Sequence, residues 1–141
     1  MPANTAPIFS LAGDVQFTTA AMTVANTTKD LTGGTSYLAF TADATNGGFV
    51  QRIRFRPLGT NTNATVARVF INNGSTTGSA ANNSLFDEIT LSATTVSEVA
   101  ALAVFELPLN FALPASYRVY TTVGTAPTSA GWQATVIGGK Y

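Results

Sequence analysis

What most limits the folds open to this chain is the even punctuation of its apolar runs. Short stretches rich in Val, Ile, Phe, Tyr and Thr alternate with clusters of Gly, Asn, Ser and Pro along most of its length. That alternation belongs to strands joined by turns rather than to helices. Strands are predicted near 13–19 (GDVQFTT), 35–41 (TSYLAFT), 49–56 (FVQRIRFR), 65–72 (TVARVFIN), 85–91 (LFDEITL), 104–111 (VFELPLNF), 116–123 (SYRVYTTV) and 131–137 (GWQATVI). Between them lie turn signals such as NGG at 46–48, PLGTNTN at 57–63 and NNGSTTGSAANN at 72–83. About eight antiparallel strands at this spacing predict an all-β, single-domain β-sandwich over 13–141, jelly-roll-like in character. Residues 1–12 hold two prolines and little periodicity, which predicts an extended N-terminal arm. Only TTVSEVAALAV at 94–104 has a helical flavour, and its apolar residues suit a loop over a sheet edge equally well.

At 141 residues such a chain can bury a sizeable core without staples. The predicted core is Phe17, Tyr37, Ile53, Phe55, Val69, Ile71, Ile89, Leu91, Val119 and Trp132. The faces of 65–72 stay open, because Val66 and Phe70 lie opposite Val69 and Ile71. A sandwich has little room to bury both sets, and that argues for self-association.

Absent residue types exclude much chemistry. There is no cysteine and no histidine, hence no disulfide, no thiolate nucleophile and no imidazole base or metal ligand. Carboxylate pairs are the remaining route to acid–base catalysis. Of Asp14, Asp30, Asp43, Asp87, Glu88, Glu98 and Glu106, only Asp87 and Glu88 are adjacent, and in a strand they point to opposite faces. No catalytic residue, metal ligand or cofactor site is predicted. DATNGG at 43–48 reads as a turn rather than a calcium loop, since it lacks the EF-hand ligand pattern. Trp132 and Tyr37, Tyr117, Tyr120 and Tyr141 are candidates for stacking on sugars, but Trp132 shares a face with Ala134 and Val136, a core pattern.

Charge narrows the partners. The seven Lys and Arg balance the seven Asp and Glu, and charged residues make up 10% of the chain. Nucleic-acid binding draws on a basic excess, so none is expected. No apolar run approaches the roughly 20 residues that span a bilayer, and the start has no signal-peptide pattern. The expectation is a soluble product made in a cytoplasm. A surface so poor in charge, covered by Thr, Ser, Asn, Gly and Ala, favours association.

Against that background three arginines, Arg52, Arg54 and Arg56, occupy alternate positions of FVQRIRFR. Strand alternation puts Phe49, Gln51, Ile53 and Phe55 on one face and Val50, Arg52, Arg54 and Arg56 on the other, neighbours on a face being ~6.6 Å apart. The first is the core side. The arginine row has three readings: a solvated face, a charge ladder with Asp87, Glu88 or Glu106 on a neighbouring strand, or a docking stripe for an acidic partner.

The blocks VQRIRFRPLGTNTNATVARVFINNGS and NNSLFDEITLSATTVSEVA, with the closing GWQATVIGGKY, resemble small structural virion proteins of tailed bacteriophages, similar in character to head decoration (cement) proteins. The resemblance runs from about residue 35 to the C-terminus; before that only the Pro/Thr opening matches. It implies a non-enzymatic protein on the outer surface of the capsid, often a homotrimer, that binds the major capsid protein and bridges neighbouring subunits. No catalytic residues come with it. A tail or head-fibre module and a carbohydrate-binding host-attachment domain are the alternatives.

Overall fold

The computed structural model describes residues 10–141. Eight strands follow one another: β1 (Ala12–Phe17), β2 (Tyr37–Thr41), β3 (Gly48–Pro57), β4 (Thr65–Asn72), β5 (Asn83–Leu91), β6 (Phe105–Leu113), β7 (Arg118–Val123) and β8 (Trp132–Lys140). They form two four-stranded sheets, β1-β8-β3-β6 and β2-β7-β4-β5, and every strand pairing is antiparallel. The chain runs as one long wrapped hairpin. β4–β5 is innermost, then β3–β6, β2–β7 and β1–β8, and successive pairs fall alternately in the two sheets. That nesting is the jelly roll, so the all-β sandwich expected from the sequence is what forms. The proposed arm falls largely on residues 1–9, outside the described residues; Leu11 already donates its amide to the Lys140 carbonyl. Residues 94–104 form a loop, and the one helical turn among the described residues is the 3-10 turn Ala80–Asn82.

Tyr37, Phe40, Val50, Ile53, Phe55, Val69, Leu91, Val119 and Trp132 fill the space between the sheets. Trp132 is fully enclosed, with Phe105 edge-on at 5.2 Å, which removes it as a platform for a sugar. Tyr37 is buried too, its hydroxyl accepting the Thr23 and Val24 amides. Ile71 and Ile89 are only half-buried, packed against the margin of this core.

Phe17 departs from expectation: it is 54% exposed. β1 lies at a sheet edge, and its even positions, Asp14 and Gln16, turn toward the sandwich while Val15 and Phe17 face out. The Gln16 amide is fixed there by both backbone groups of Thr41, donating to the carbonyl at 2.9 Å and accepting the amide at 2.8 Å. One side chain thereby answers the outward backbone groups of Thr41 at the end of β2, part of an edge row that otherwise invites another strand.

The faces of β3 also differ from simple alternation. Val50 is fully buried and Gln51 exposed, the reverse of the expected assignment, while Ile53 and Phe55 point inward as expected. A β-bulge causes the switch. Against β8, Val50 opposes Gly138 and Arg52 opposes Ile137, so Gln51 is an extra residue. Against β6, Val50 opposes Phe111 and Arg52 opposes Pro108, so β6 carries its own extra residue there. Such an insertion exchanges the faces on either side of it.

Both faces of β4 are buried, and within the same chain. Ala67 and Val69 enter the main core, while Arg68, Phe70 and Asn72 are covered on the other side. The connection between β1 and β2 is tied down over that side. Asn26 gives its carbonyl to Arg68 Nη1 at 3.4 Å and Asp30 gives its own to Asn83 Nδ2 at 2.9 Å. The apolar residues on the two faces of β4 therefore need no second copy, and that argument for self-association falls away.

Candidate docking face

Cross-strand register assembles the outer face of the β1-β8-β3-β6 sheet from single residues. One row reads Val15, Ile137, Arg52, Pro108; the next reads Phe17, Thr135, Arg54, Glu106. Arg56 extends the face beside Gln133. The result is an apolar patch on β1, 58% exposed at Val15, with three cations on β3 one strand away across β8.

Glu106 answers for the arginine row. Arg54 donates Nε at 2.9 Å and approaches with Nη2 at 2.8 Å, both to Glu106 Oε2. Arg52 stands on the other side of the same oxygen, its Nε 3.6 Å away, too far for a hydrogen bond. Arg56 reaches the Leu102 and Ala103 carbonyls at 3.4 and 3.3 Å. Of the three carboxylates considered as ladder partners, Glu106 serves the row and Glu88 serves Arg68 at 3.2 Å. Asp87 accepts only the Glu88 amide among the described residues. The row is thus a ladder at Arg54 and largely unanswered at Arg52. Three arginines against one carboxylate leave the face cationic in a chain whose formal charge is zero.

Sequence reasoning left Arg68 unremarked. Alone among the arginines it is buried, at 8% exposure. Its position opposite Glu88 in the β4–β5 ladder was the available signal. It acts as a strut, since its donors go to Glu88 and to the Asn26 carbonyl.

The bulge shapes the face further. Beside Arg52 it opens a notch of about 230 Å³ lined by Gln51, Arg52, Glu106, Pro108 and Asn110. Asn110 sits there in the left-handed region, φ 51°, which Asn tolerates better than most residues. The DATNGG segment behaves as the turn it was read to be: the Asp43 carboxylate accepts the Thr45 and Asn46 amides, both at 2.9 Å, and its carbonyl accepts Gly47. Among the described residues no group of three carboxylates gathers to hold a cation, and no helix is long and apolar enough to cross a membrane.

The fold and this face define a jelly-roll protein with a notched, mixed apolar and cationic sheet surface. No protein family, no curated protein and no solved structure matches the chain.

Proposed function

We propose that this chain is a non-enzymatic structural virion protein, a capsid decoration (cement) protein of a tailed bacteriophage. Copies bind the outside of the head as homotrimers and bridge neighbouring major capsid protein subunits. The observation that carries the reading is the reversed amphipathicity of β1. A strand with one face toward a core keeps its apolar residues inward, because a slip of one residue would return them there. Here Val15 and Phe17 face out and Asp14 and Gln16 face in, Gln16 held by two hydrogen bonds to the Thr41 backbone. Exposed aliphatic and aromatic side chains in line with arginines have the composition of a protein interface: apolar and aromatic residues and Arg enriched, Lys and Glu depleted.

The resemblance of residues from about 35 onward to phage virion proteins supplies the assembly. Jelly rolls recur in viral capsid and lectin domains, an argument by analogy only. The work done is mechanical. A standard interface buries on the order of 1,600 Å², and each bridge between capsomers adds such an area to what internal pressure must break.

Cryo-microscopy of particles carrying this chain is the test. Density for the jelly roll on the outer capsid surface at threefold positions, with the β1–β8–β3 face toward the major capsid protein, is expected. Density in the tail or in a head fibre would replace this reading with that one.

A further inference from the structure

We infer that Arg52, rather than the more conspicuous Arg54, is the arginine that receives the partner, and that it takes a carboxylate side chain of the capsid protein into the bulge notch. The inference rests on the decoration reading above and names the chemistry of its contact.

Arg54 is already occupied by Glu106 through two of its nitrogens. Arg52 donates no hydrogen bond among the described residues: its Nε is enclosed 3.6 Å from Glu106 Oε2, beyond hydrogen-bond reach, and the side chain as a whole stays 38% exposed, so it is the outer part of the fork that a partner would meet. A guanidinium carries five donors in a rigid fork, and a docked partner that covered this one without answering it would pay the cost of burying an unpaired charge. A carboxylate matches the fork in shape and charge. The lining fits the same ligand. Gln51 and Asn110 bring side-chain amides with no partner among the described residues, and Pro108 forms an apolar wall. The opposing charge is Glu106, engaged by Arg54; with Arg56 beyond, three cations outweigh one carboxylate.

The bulge itself argues for a site. Strict alternation would send Gln51 into the core; the extra residue instead puts it on the solvent side, where it lines the notch together with Arg52. Bulges commonly re-aim side chains in this way next to functional sites. The apolar β1 patch would supply area, and the buried charge pair would fix register.

Two measurements test this. The first uses the purified chain alone, titrated with sodium acetate against sodium chloride at equal ionic strength and followed through the arginine Nε–Hε resonances. A saturable shift at Arg52 larger than at Arg54 is expected; no shift, or a larger one at Arg54, overturns the notch. The second measures occupancy of heads stripped of this chain. Arg52→Gln should lose at least about tenfold in affinity at an unchanged melting temperature. Lys29→Gln, which removes an exposed charge elsewhere, should stay within about twofold, and Glu106→Gln should bind at least as tightly as the unaltered chain. Binding by Arg52→Gln equal to that of the unaltered chain would overturn the inference. If the unaltered chain does not bind heads, the decoration reading fails, and the acetate titration still decides the notch by itself.

Discussion

A single carboxylate can organise a turn in a chain with few charges, and Asp43 does so for 43–47. The amides of Asn46 first, and Thr45 second, hold its carboxyl below the ordinary value of 3.8. Asp30 is lowered in the same way by the Thr32 hydroxyl and amide. A folded pKa below the unfolded one gives stability that is complete above about pH 4 and is lost as pH falls through the folded value. The melting temperature should therefore fall on acidification below that pH, and the fall should be smaller in Asp43→Asn; equal acid sensitivity in the two proteins would show that the turn carboxylate contributes nothing. At Arg54 the prediction concerns stability. Arg54→Glu would set a carboxylate directly opposite Glu106, and like charges facing across a ladder cost up to ~1 kcal/mol. A drop of roughly 4 °C in melting temperature is expected. An unchanged melting temperature would mean that the pair, 41% and 30% exposed at its two side chains, is too solvated to matter.

At the scale of elements, the β3–β8 pairing depends on what β8 lacks opposite the bulge. A Cβ at Gly138 would run into the Phe49 carbonyl oxygen and come within 3.2 Å of Val50 Cα. Both are backbone, so nothing flexible can yield. Gly138→Ala should cost about 1–3 kcal/mol. Gly13, with nothing within 4 Å of its would-be Cβ, should accept Ala within about ±0.5 kcal/mol. Denaturant unfolding of the two variants side by side separates a close backbone approach from a general intolerance of side chains at sheet glycines. The sheet edges are managed by different means. β6 carries Pro108, which has no amide to offer, β5 carries Asp87 and Glu88, and β2 has the backbone of Thr41 answered by Gln16.

Among the described residues of the whole molecule, a further group of apolar side chains is uncovered on β5 and the loop that follows it. Leu85 and Phe86 on β5, then Val96, Val99 and Val104 on the loop to β6, are all exposed, Val99 to 96%. They belong to β5 and the loop that leads to β6, the edge strands of their two sheets, where Phe86 packs edge-on to Phe111 at 4.7 Å. With both faces of β4 satisfied internally, this strip is what a homotrimer would bury. Light scattering should give three times the 14.6 kDa protomer mass at high micromolar concentration, and Val99→Asp should shift the protein toward monomer without changing its unfolding midpoint in the monomeric range. A monomeric mass for the unaltered chain under those conditions would count against a trimer free in solution.

Period-two alternation and turn residues made the all-β class and the sites of all eight strands legible in the sequence. They also marked Ile53, Phe55, Val119 and Trp132 as core, because those signals are local: each strand carries its own pleat and each turn its own Gly, Asn or Pro. The same alternation misassigned Val50, Gln51 and Phe17. A bulge is defined only by what lies across the ladder, and the inward face of an edge strand is chosen by the sheet it joins. Which carboxylate meets which arginine was likewise open, since Glu106 and Arg54 are far apart in sequence and become neighbours only when β6 pairs with β3. The sequence by itself determined that three arginines would share one strand; tertiary pairing decided that Arg54 would hydrogen-bond Glu106 while Arg52 stands 3.6 Å from it, because the β3–β6 register sets Glu106 directly opposite Arg54 and Pro108 opposite Arg52.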